Sequence, residues 1–404
     1  MIERVYEGLI EEHFAENRQM LFLMGPRQVG KTTSCKRAAE RFGEWHYLNW
    51  DNRSHRRIIV QGPETVAGHL ELSRLREKPP MVVFDEIHKW EKWKDFLKGF
   101  FDVHATKVQI LVTGSARLDV FRSGGDSLMG RYFGVRMHPL SPGELAQPRG
   151  AGEGLIRPPV ALDDEPWEAL LTYGGFPEPF QRNDEKFYNR WRRLRSQLLF
   201  REDLRELTRI RELGQVEILA ELIAQRAGST VTYSSFSRDL DASVNTIKRW
   251  LETLERLYYC FSVRPWHKNV ARSLRKQPKY YLWDWSLIED SGARMENLVA
   301  CCLLKAVHLW TDLGFGQFGL YFVRDKQQNE VDFAVVRNGE PWFLVEVKSS
   351  QSRSLSAALG RFQRQTGAEH AFQVAMDAAY IDRDCFEARE PTIIPARTFL
   401  TQLA

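Results

Sequence analysis

Gly25-Pro26-Arg27-Gln28-Val29-Gly30-Lys31-Thr32 has the spacing G-x-x-x-x-G-K-[ST], with Thr33 directly after it. Such a loop suits phosphate chemistry. Its glycines let successive backbone N–H groups wrap a β-phosphate, and the helix that follows points the positive end of its dipole at the anion. In this arrangement Lys31 contacts the β- and γ-phosphates and Thr32 ligates Mg²⁺, which makes ATP with Mg²⁺ the expected ligand. A second segment, Met81-Val82-Val83-Phe84-Asp85-Glu86, is an apolar run ending in two acids. Asp85 at the strand tip can hold Mg²⁺ through water, and Glu86 can polarise an attacking water. Ile110-Leu111-Val112-Thr113-Gly114-Ser115 repeats the pattern, offering Thr113 or Ser115 to a γ-phosphate or a water.

A second set of acids lies near the C-terminus. Glu330-Val331-Asp332-Phe333-Ala334-Val335-Val336 and Trp342-Phe343-Leu344-Val345-Glu346-Val347-Lys348 flank Asn338-Gly339. Asn-Gly between apolar runs is a strong hairpin signal. Glu346 and Lys348 then share one face of a strand. An odd-length turn sets Asp332 opposite Glu346, and an even one needs a bulge to bring them together. Glu296 lies on a helix expected from Ile288 to Leu304. Asp332 followed by Glu346-x-Lys348 resembles the D…E-x-K pattern of restriction-endonuclease-like nucleases. That resemblance implies Mg²⁺ or Mn²⁺ on Asp332, Glu346 and Glu296, with Lys348 positioning the attacking water. Gln363 and Gln365 on the following helix are then candidates to touch the substrate backbone. A fold that keeps these residues but binds DNA without cutting stays open.

Between the two sets, Val216–Arg226 and Val244–Leu257 read as helices around a short turn, with Ser243 as N-cap of the second. Val244, Ile247, Leu251 and Leu254 fall on one face. Asn245, Thr246, Lys248 and Arg249 face elsewhere, as in a recognition helix reading nucleic acid. Tyr258–Pro265 is a candidate wing strand. Lys268, Arg272, Arg275, Lys276 and Lys279 form a basic run without acids, and Arg192, Arg193, Arg195, Arg201, Arg205, Arg209 and Arg211 form another. Either a nucleic-acid surface or a solvated face accounts for such runs.

These groups need elements to carry them. Strands are expected at Met20–Met24, Trp45–Trp50, Met81–Phe84 and Val108–Thr113, with a helix over Lys31–Arg41. Short buried strands alternating with helices predict an α/β parallel sheet. The Pro-, Gly- and acid-rich segment Gln147–Glu165 reads as a linker. At 404 residues the chain is long enough for two to four domains. It is 43% hydrophobic and 27% charged with a net charge of +4, an ordinary globular balance that does not itself argue for nucleic acid. It lacks an apolar run long enough to span a membrane. Its five scattered cysteines lack zinc spacing and suit a reducing, cytoplasmic setting.

Taken together, GPRQVGKTT (Gly25–Thr33), VVFDEIHK (Val82–Lys89), LVTGSARL (Leu111–Leu118), SLMGRYFGVRMHPLSPGEL (Ser127–Leu145) and YGGFPEPF (Tyr173–Phe180) resemble bacterial and archaeal AAA+ ATPases that carry a C-terminal restriction-endonuclease-like domain. The resemblance covers nearly the whole chain. It implies an AAA+ core over 1–145, a helical lid and linker over 146–205, a winged helix over 206–278 and an α/β nuclease-like domain over 279–404. It also implies an arginine of a neighbouring subunit reaching the γ-phosphate, and so a homo-oligomer. The residues read above add action on DNA as the expectation, with an ATP-driven remodeller of branched DNA or an ATP-controlled protein-interaction switch as the alternatives. By position Arg131 is the candidate, and Arg27 within the loop is a second arginine near phosphate.

Overall fold

Residues 2–114, 128–148, 154–204, 212–267, 277–351 and 354–403 are described by the computed structural model. They form two compact units, one from Met1–His138 with Pro148–Gly152 and the other from Pro139–Gln147 with Glu153–Ala404.

In the first unit, helix α1 (Val5–Glu16) precedes β1 (Met20–Met24), α2 (Lys31–Arg41), β2 (Trp45–Asn49), α3 (Arg53–Val60), α4 (Pro63–His69), β3 (Met81–Asp85), α5 (Trp93–His104), β4 (Gln109–Gly114) and β5 (Tyr132–Arg136). The strands form one parallel sheet in the order β2-β3-β4-β1-β5. Strand β1 and, up to its terminal Asp85, strand β3 are apolar, and both are buried along their whole length because helices cover both faces. Phe22, Leu48, Phe84, Phe100 and Val112 fill one side of this core. The four expected strands are present. The fifth, YFGVR, escapes sequence reading because it is an edge strand with only Val135 buried, so it shows no apolar run.

The second unit begins with α6 (Pro142–Ala146), α7 (Asp164–Tyr173), α8 (Pro177–Arg182) and α9 (Glu185–Gln197), which runs into a π-helical turn over Leu198–Asp203. Helices α10 (Leu213–Gln225), α11 (Tyr233–Asp239) and α12 (Val244–Arg256) follow, then β6 (Cys260–Pro265), β7 (Lys279–Leu282) and the long α13 (Ser291–Asp312). The chain ends with β8 (Phe318–Arg324), β9 (Glu330–Arg337), β10 (Glu340–Lys348), α14 (Ala357–Thr366), β11 (His370–Ala375), β12 (Thr392–Pro395) and α15 (Ala396–Thr401). Seven strands form a mixed sheet in the order β12-β11-β10-β9-β8-β6-β7. The strand expected within Tyr258–Pro265 is β6. It pairs antiparallel with β7 and also joins the larger sheet by a short parallel pairing to β8. Helix α13 starts three residues later than expected because Asp290 caps it, accepting from Ala293 N at 2.8 Å.

Two quoted motifs have packing reasons. In Tyr173–Phe180, a Cβ on Gly175 would lie 2.6 Å from the Leu140 carbonyl oxygen and 2.5 Å from the Trp285 ring, so no side chain fits. In PLSPGEL, Glu144 is fully buried and pairs with Lys305 of α13 at 2.5 Å; Lys305 also donates to Ser141 Oγ at 2.9 Å and Pro139 O at 3.2 Å. Removing one partner of such a pair strands a buried charge. Lys305→Met should lower unfolding free energy in urea by about 3–5 kcal/mol, and Lys305→Met/Glu144→Leu should recover most of it. Equal stability of wild type and Lys305→Met would show that the pair does not tie α6 to α13.

Candidate functional site

The loop after β1 folds as its glycines require. Gly30 caps α2 in the left-handed region, with φ of 102°. Gly25 has φ of 152°, and a Cβ there would meet the Met137 carbonyl oxygen at 2.3 Å. Val29 and Lys31 are buried, while Arg27, Gln28, Gly30 and Thr32 are half-buried and Thr33 is exposed. Pro26 completes the buried entry to the loop. Lys31 Nζ donates to Gly25 O at 3.0 Å and Pro26 O at 2.6 Å. Its ammonium is bent over its own loop, within the field of Glu86 and Asp85.

One strand, β4, lies between β1 and β3, so Asp85 comes to the loop from across the sheet. Thr32 Oγ1 donates to Asp85 Oδ2 at 3.0 Å. The same oxygen accepts the Tyr47 hydroxyl at 2.5 Å and the Asn49 amide at 3.4 Å, and Asn49 also donates to Tyr47 OH at 2.9 Å. Thr32 beside Asp85 offers a hydroxyl and a carboxylate, oxygen ligands of the type Mg²⁺ takes together with phosphate oxygens and water. Glu86 follows at φ of 57°, a strained conformation for a residue with a side chain, and its N–H bonds Thr113 O at 2.9 Å. Burial raises the Glu86 pKa, opposed by Lys31 and Lys89. Its Oε2 is buried without a hydrogen-bond partner, with Lys89 at 3.7 Å and His88 at 3.5 Å. An unsatisfied carboxylate oxygen is a ready acceptor for a water proton. The Thr113 hydroxyl is fully buried beside the Cys35 thiol and makes no conventional hydrogen bond. Ser115 lies outside the described residues.

The structure does not bring Arg131 to this loop. Its carbonyl accepts from Met20 N at 2.9 Å, at the start of β1, whereas the loop follows the end of β1 at Met24. The two ends are four strand residues apart, about 13 Å. Arg131 instead makes a bidentate pair with Asp102 at 2.6 and 2.9 Å.

In the second unit the hairpin forms as expected. Asn338 and Gly339 both have positive φ, the requirement of a two-residue type I′ turn. The register shifts between Pro341 and Phe343, where proline cannot donate to the ladder, and Phe333 pairs with Val345. The bulge thereby sets Asp332 level with Glu346. Asp332 Oδ2 accepts from Val347 N at 2.8 Å, and Glu346 pairs with Lys348 at 2.7 Å. Glu296 accepts the Tyr281 hydroxyl at 2.7 Å. Burial and neighbouring Glu296 push the Asp332 carboxyl up to about 7, against the pull of Lys279. Among the described residues, no group of three or more His, Cys, Asp or Glu that could hold a metal ion is found, so the Mg²⁺ or Mn²⁺ expected there gains no support. Gln363 donates to Arg389 O at 2.7 Å, which ties it to its own fold.

Lys279 corrects the reading of a continuous basic run. It is 3% exposed and sits among Glu296, Glu330 and Asp332 rather than on a surface. Burial favours a charged lysine only when carboxylates surround it. Lys268, Arg272, Arg275, Lys276, Arg205, Arg209 and Arg211 lie outside the described residues. Arg195 of the other run is half-buried and paired with Asp284 at 2.7 Å.

Helices α10, α11 and α12 share one core with β6 and β7, including Leu219, Phe236, Ile247, Trp250 and Leu254. Ser243 caps α12 as expected, accepting from Thr246 N at 3.1 Å. Trp250 joins the inward face and Val244 does not, since it lies at the exposed first turn. Asn245, Lys248 and Arg249 are exposed and Thr246 is half-buried. Tyr47, Asn49 and Lys279 are the site residues that sequence reading missed. The alternation of β2 held the only signal for the first two.

Residues 17–146 match the AAA domain, 164–291 a domain of unknown function (DUF8612) and 291–388 a domain of unknown function (DUF4143). "Uncharacterized protein Rv2008c" of Mycobacterium tuberculosis is 22% identical over 347 residues, 84% of this chain and 72% of that protein. "Uncharacterized protein Mb2031c" of Mycobacterium bovis matches to the same extent. Among solved structures, the Walker-type ATPase PABY2304 of Pyrococcus abyssi has a TM-score of 0.45 at 17% identity, covering 73% of this chain and 96% of its own. The Aeropyrum pernix ORC1 protein in complex with DNA has a TM-score of 0.34 at 14% identity, covering 74% and 93%. The AAA match and the loop geometry make the first unit a P-loop ATPase domain and support ATP binding and hydrolysis. No helix among the described residues is long and apolar enough to cross a membrane.

Burial lowers the Lys31 ammonium from 10.5 to about 8, against Glu86 and Asp85. The unfolded chain therefore binds more protons than the folded one between those values, and stability rises with pH across that window. In nucleotide-free protein, wild type should gain stability relative to Lys31→Met as pH increases from about 8 towards 10.5. Parallel pH profiles in urea melts would contradict this burial.

Proposed function

We propose that this chain hydrolyses Mg-ATP in its first unit and uses that cycle to grip and remodel DNA through its second, without cutting it. The observation that carries the ATPase part is the meeting of Thr32 with Asp85 across β4, with unsatisfied Glu86 beside them. In the proposed site the backbone N–H groups of Gly25–Thr33 and the α2 terminus hold phosphates, and Lys31 swings from the loop carbonyls to the β- and γ-phosphates. Thr32 and Asp85 hold Mg²⁺, which neutralises charge on the phosphates. Glu86 accepts the proton of the attacking water, for which a raised carboxyl pKa is suited. Thr113 orients water or γ-phosphate from β4. If Arg131 serves a γ-phosphate, its place at the far end of β5 makes that the site of a neighbouring subunit, which supports a homo-oligomer.

The DNA part rests on α12. Its capped first turn presents Asn245, Lys248 and Arg249 to solvent, while Ile247, Trp250 and Leu254 anchor it. Three helices followed by the β6–β7 pair support a winged helix, in which such a face enters the major groove. Short polar and basic side chains there suit base edges and phosphates.

The test is ATP turnover with labelled duplex, single-stranded and four-way-junction DNA. We expect one DNA form to stimulate hydrolysis and every DNA form to stay intact. Lys248→Ala/Arg249→Ala should weaken binding and reduce the salt slope, log K against log salt, by about 2. Turnover indifferent to all DNA would replace this reading with an ATP-controlled protein switch.

A further inference from the structure

Strands β7, β9 and β10 and helix α13 bring four carboxylates and two lysines together. Lys279 Nζ lies 2.5 Å from Glu330 Oε1, 3.5 Å from Glu296 Oε1 and 3.9 Å from Asp332 Oδ1. Lys348 takes Glu346 separately at 2.7 Å. The ammonium thus sits within ion-pair distance of three carboxylates, two from β9 and one from α13.

We infer that the Lys279 ammonium is the resident cation of this cluster, placed among the acids where a divalent ion would otherwise be held. Each of these acids has a partner within the chain: Asp332 Oδ2 accepts from the Val347 N–H, Glu296 Oε1 from the Tyr281 hydroxyl, and Glu330 Oε1 pairs with Lys279. A hard divalent ion needs several such oxygens converging with near-ideal geometry, which a lysine in their midst prevents. An ammonium with three donors satisfies the same charges from one side. Glu346 Oε2 is the buried oxygen here with no hydrogen-bond partner. Removing Lys279 leaves that oxygen and the carboxylates of Glu296, Glu330 and Asp332 without this cation.

The cluster thus fastens β7 and α13 to the β9–β10 hairpin by an internal charge rather than by metal. The arrangement opposes metal-dependent phosphodiester hydrolysis at Asp332, Glu346 and Lys348 in the wild-type chain. A lysine-for-metal exchange also predicts a gain of binding, not only a loss.

The experiment counts bound Mn²⁺ by electron paramagnetic resonance and follows thermal midpoints with and without Mn²⁺. Full-length wild type, Asp332→Asn and Lys279→Met are compared, all without nucleotide. Wild type and Asp332→Asn should bind the same number of Mn²⁺ ions and shift alike, since any shared response belongs to the ATP site. Lys279→Met should melt lower than wild type and should take one further Mn²⁺ that restores its midpoint. The inference is overturned if wild type binds one more Mn²⁺ than Asp332→Asn, or if folded Lys279→Met gains none. Should Lys279→Met fail to fold, the comparison of wild type with Asp332→Asn decides alone. Because the readout is metal binding, its failure is distinct from any failure of ATP hydrolysis.

Discussion

One carboxylate oxygen, Asp85 Oδ2, holds three donors from two other elements: Thr32 from α2, and Tyr47 and Asn49 from β2. The rest of the first unit is arranged so that this meeting occurs. β3 must be fully apolar to reach the core, yet it must end on an acid at the edge of the parallel sheet. β4 must separate β3 from β1, so that the loop and the acid approach from strands that are not neighbours. In an open parallel sheet the carboxyl ends of strands are where a crevice forms and where ligands are bound. The positive φ of Glu86 turns the chain at once, so that the next carboxylate faces the loop rather than continuing the strand.

The second unit solves a similar problem of buried charge twice, in two ways. Lys305 and Glu144 are a nearly solvent-free pair that joins distant parts of the chain, supported by a hydroxyl and a carbonyl. Lys279 instead serves three acids at once. In both cases the lysine carries its charge into a low-dielectric interior because partners surround it, and isolated burial would be prohibitive. Lys31 is the contrasting case. Its partners are loop carbonyls, its pKa falls, and the strain is of the kind a phosphate relieves.

Features governed by neighbouring residues were legible from sequence. The phosphate loop with its flanking strand and helix, the Asn-Gly turn, the Ser243 cap and the four apolar strands are all local patterns. The expected bulge follows from an even turn and a proline. What escaped were meetings between residues far apart in the chain. Tyr47 reaches Asp85 across a strand pair. Lys279 looked like the last member of a basic run, and only the sheet order shows that it faces inward. Arg131, expected to serve a neighbouring subunit, lies at the opposite end of the sheet from its own loop, a placement set by the parallel pairing of β5 with β1. The long helix α13 began later than its apolar residues suggested because the Asp290 cap decides the boundary.

The central claim is that Lys31, Thr32, Asp85 and Glu86 form one hydrolytic site, with Glu86 receiving the proton of the attacking water. The most direct measurement is single-turnover conversion of labelled ATP by Glu86→Gln beside wild type, with nucleotide affinity followed in the same samples. The account predicts nearly unchanged Mg-ATP binding, a hydrolysis rate lower by about 10²–10⁴-fold, and ATP retained uncleaved on the protein. Unchanged cleavage by Glu86→Gln would contradict it and would move the general base away from the end of β3.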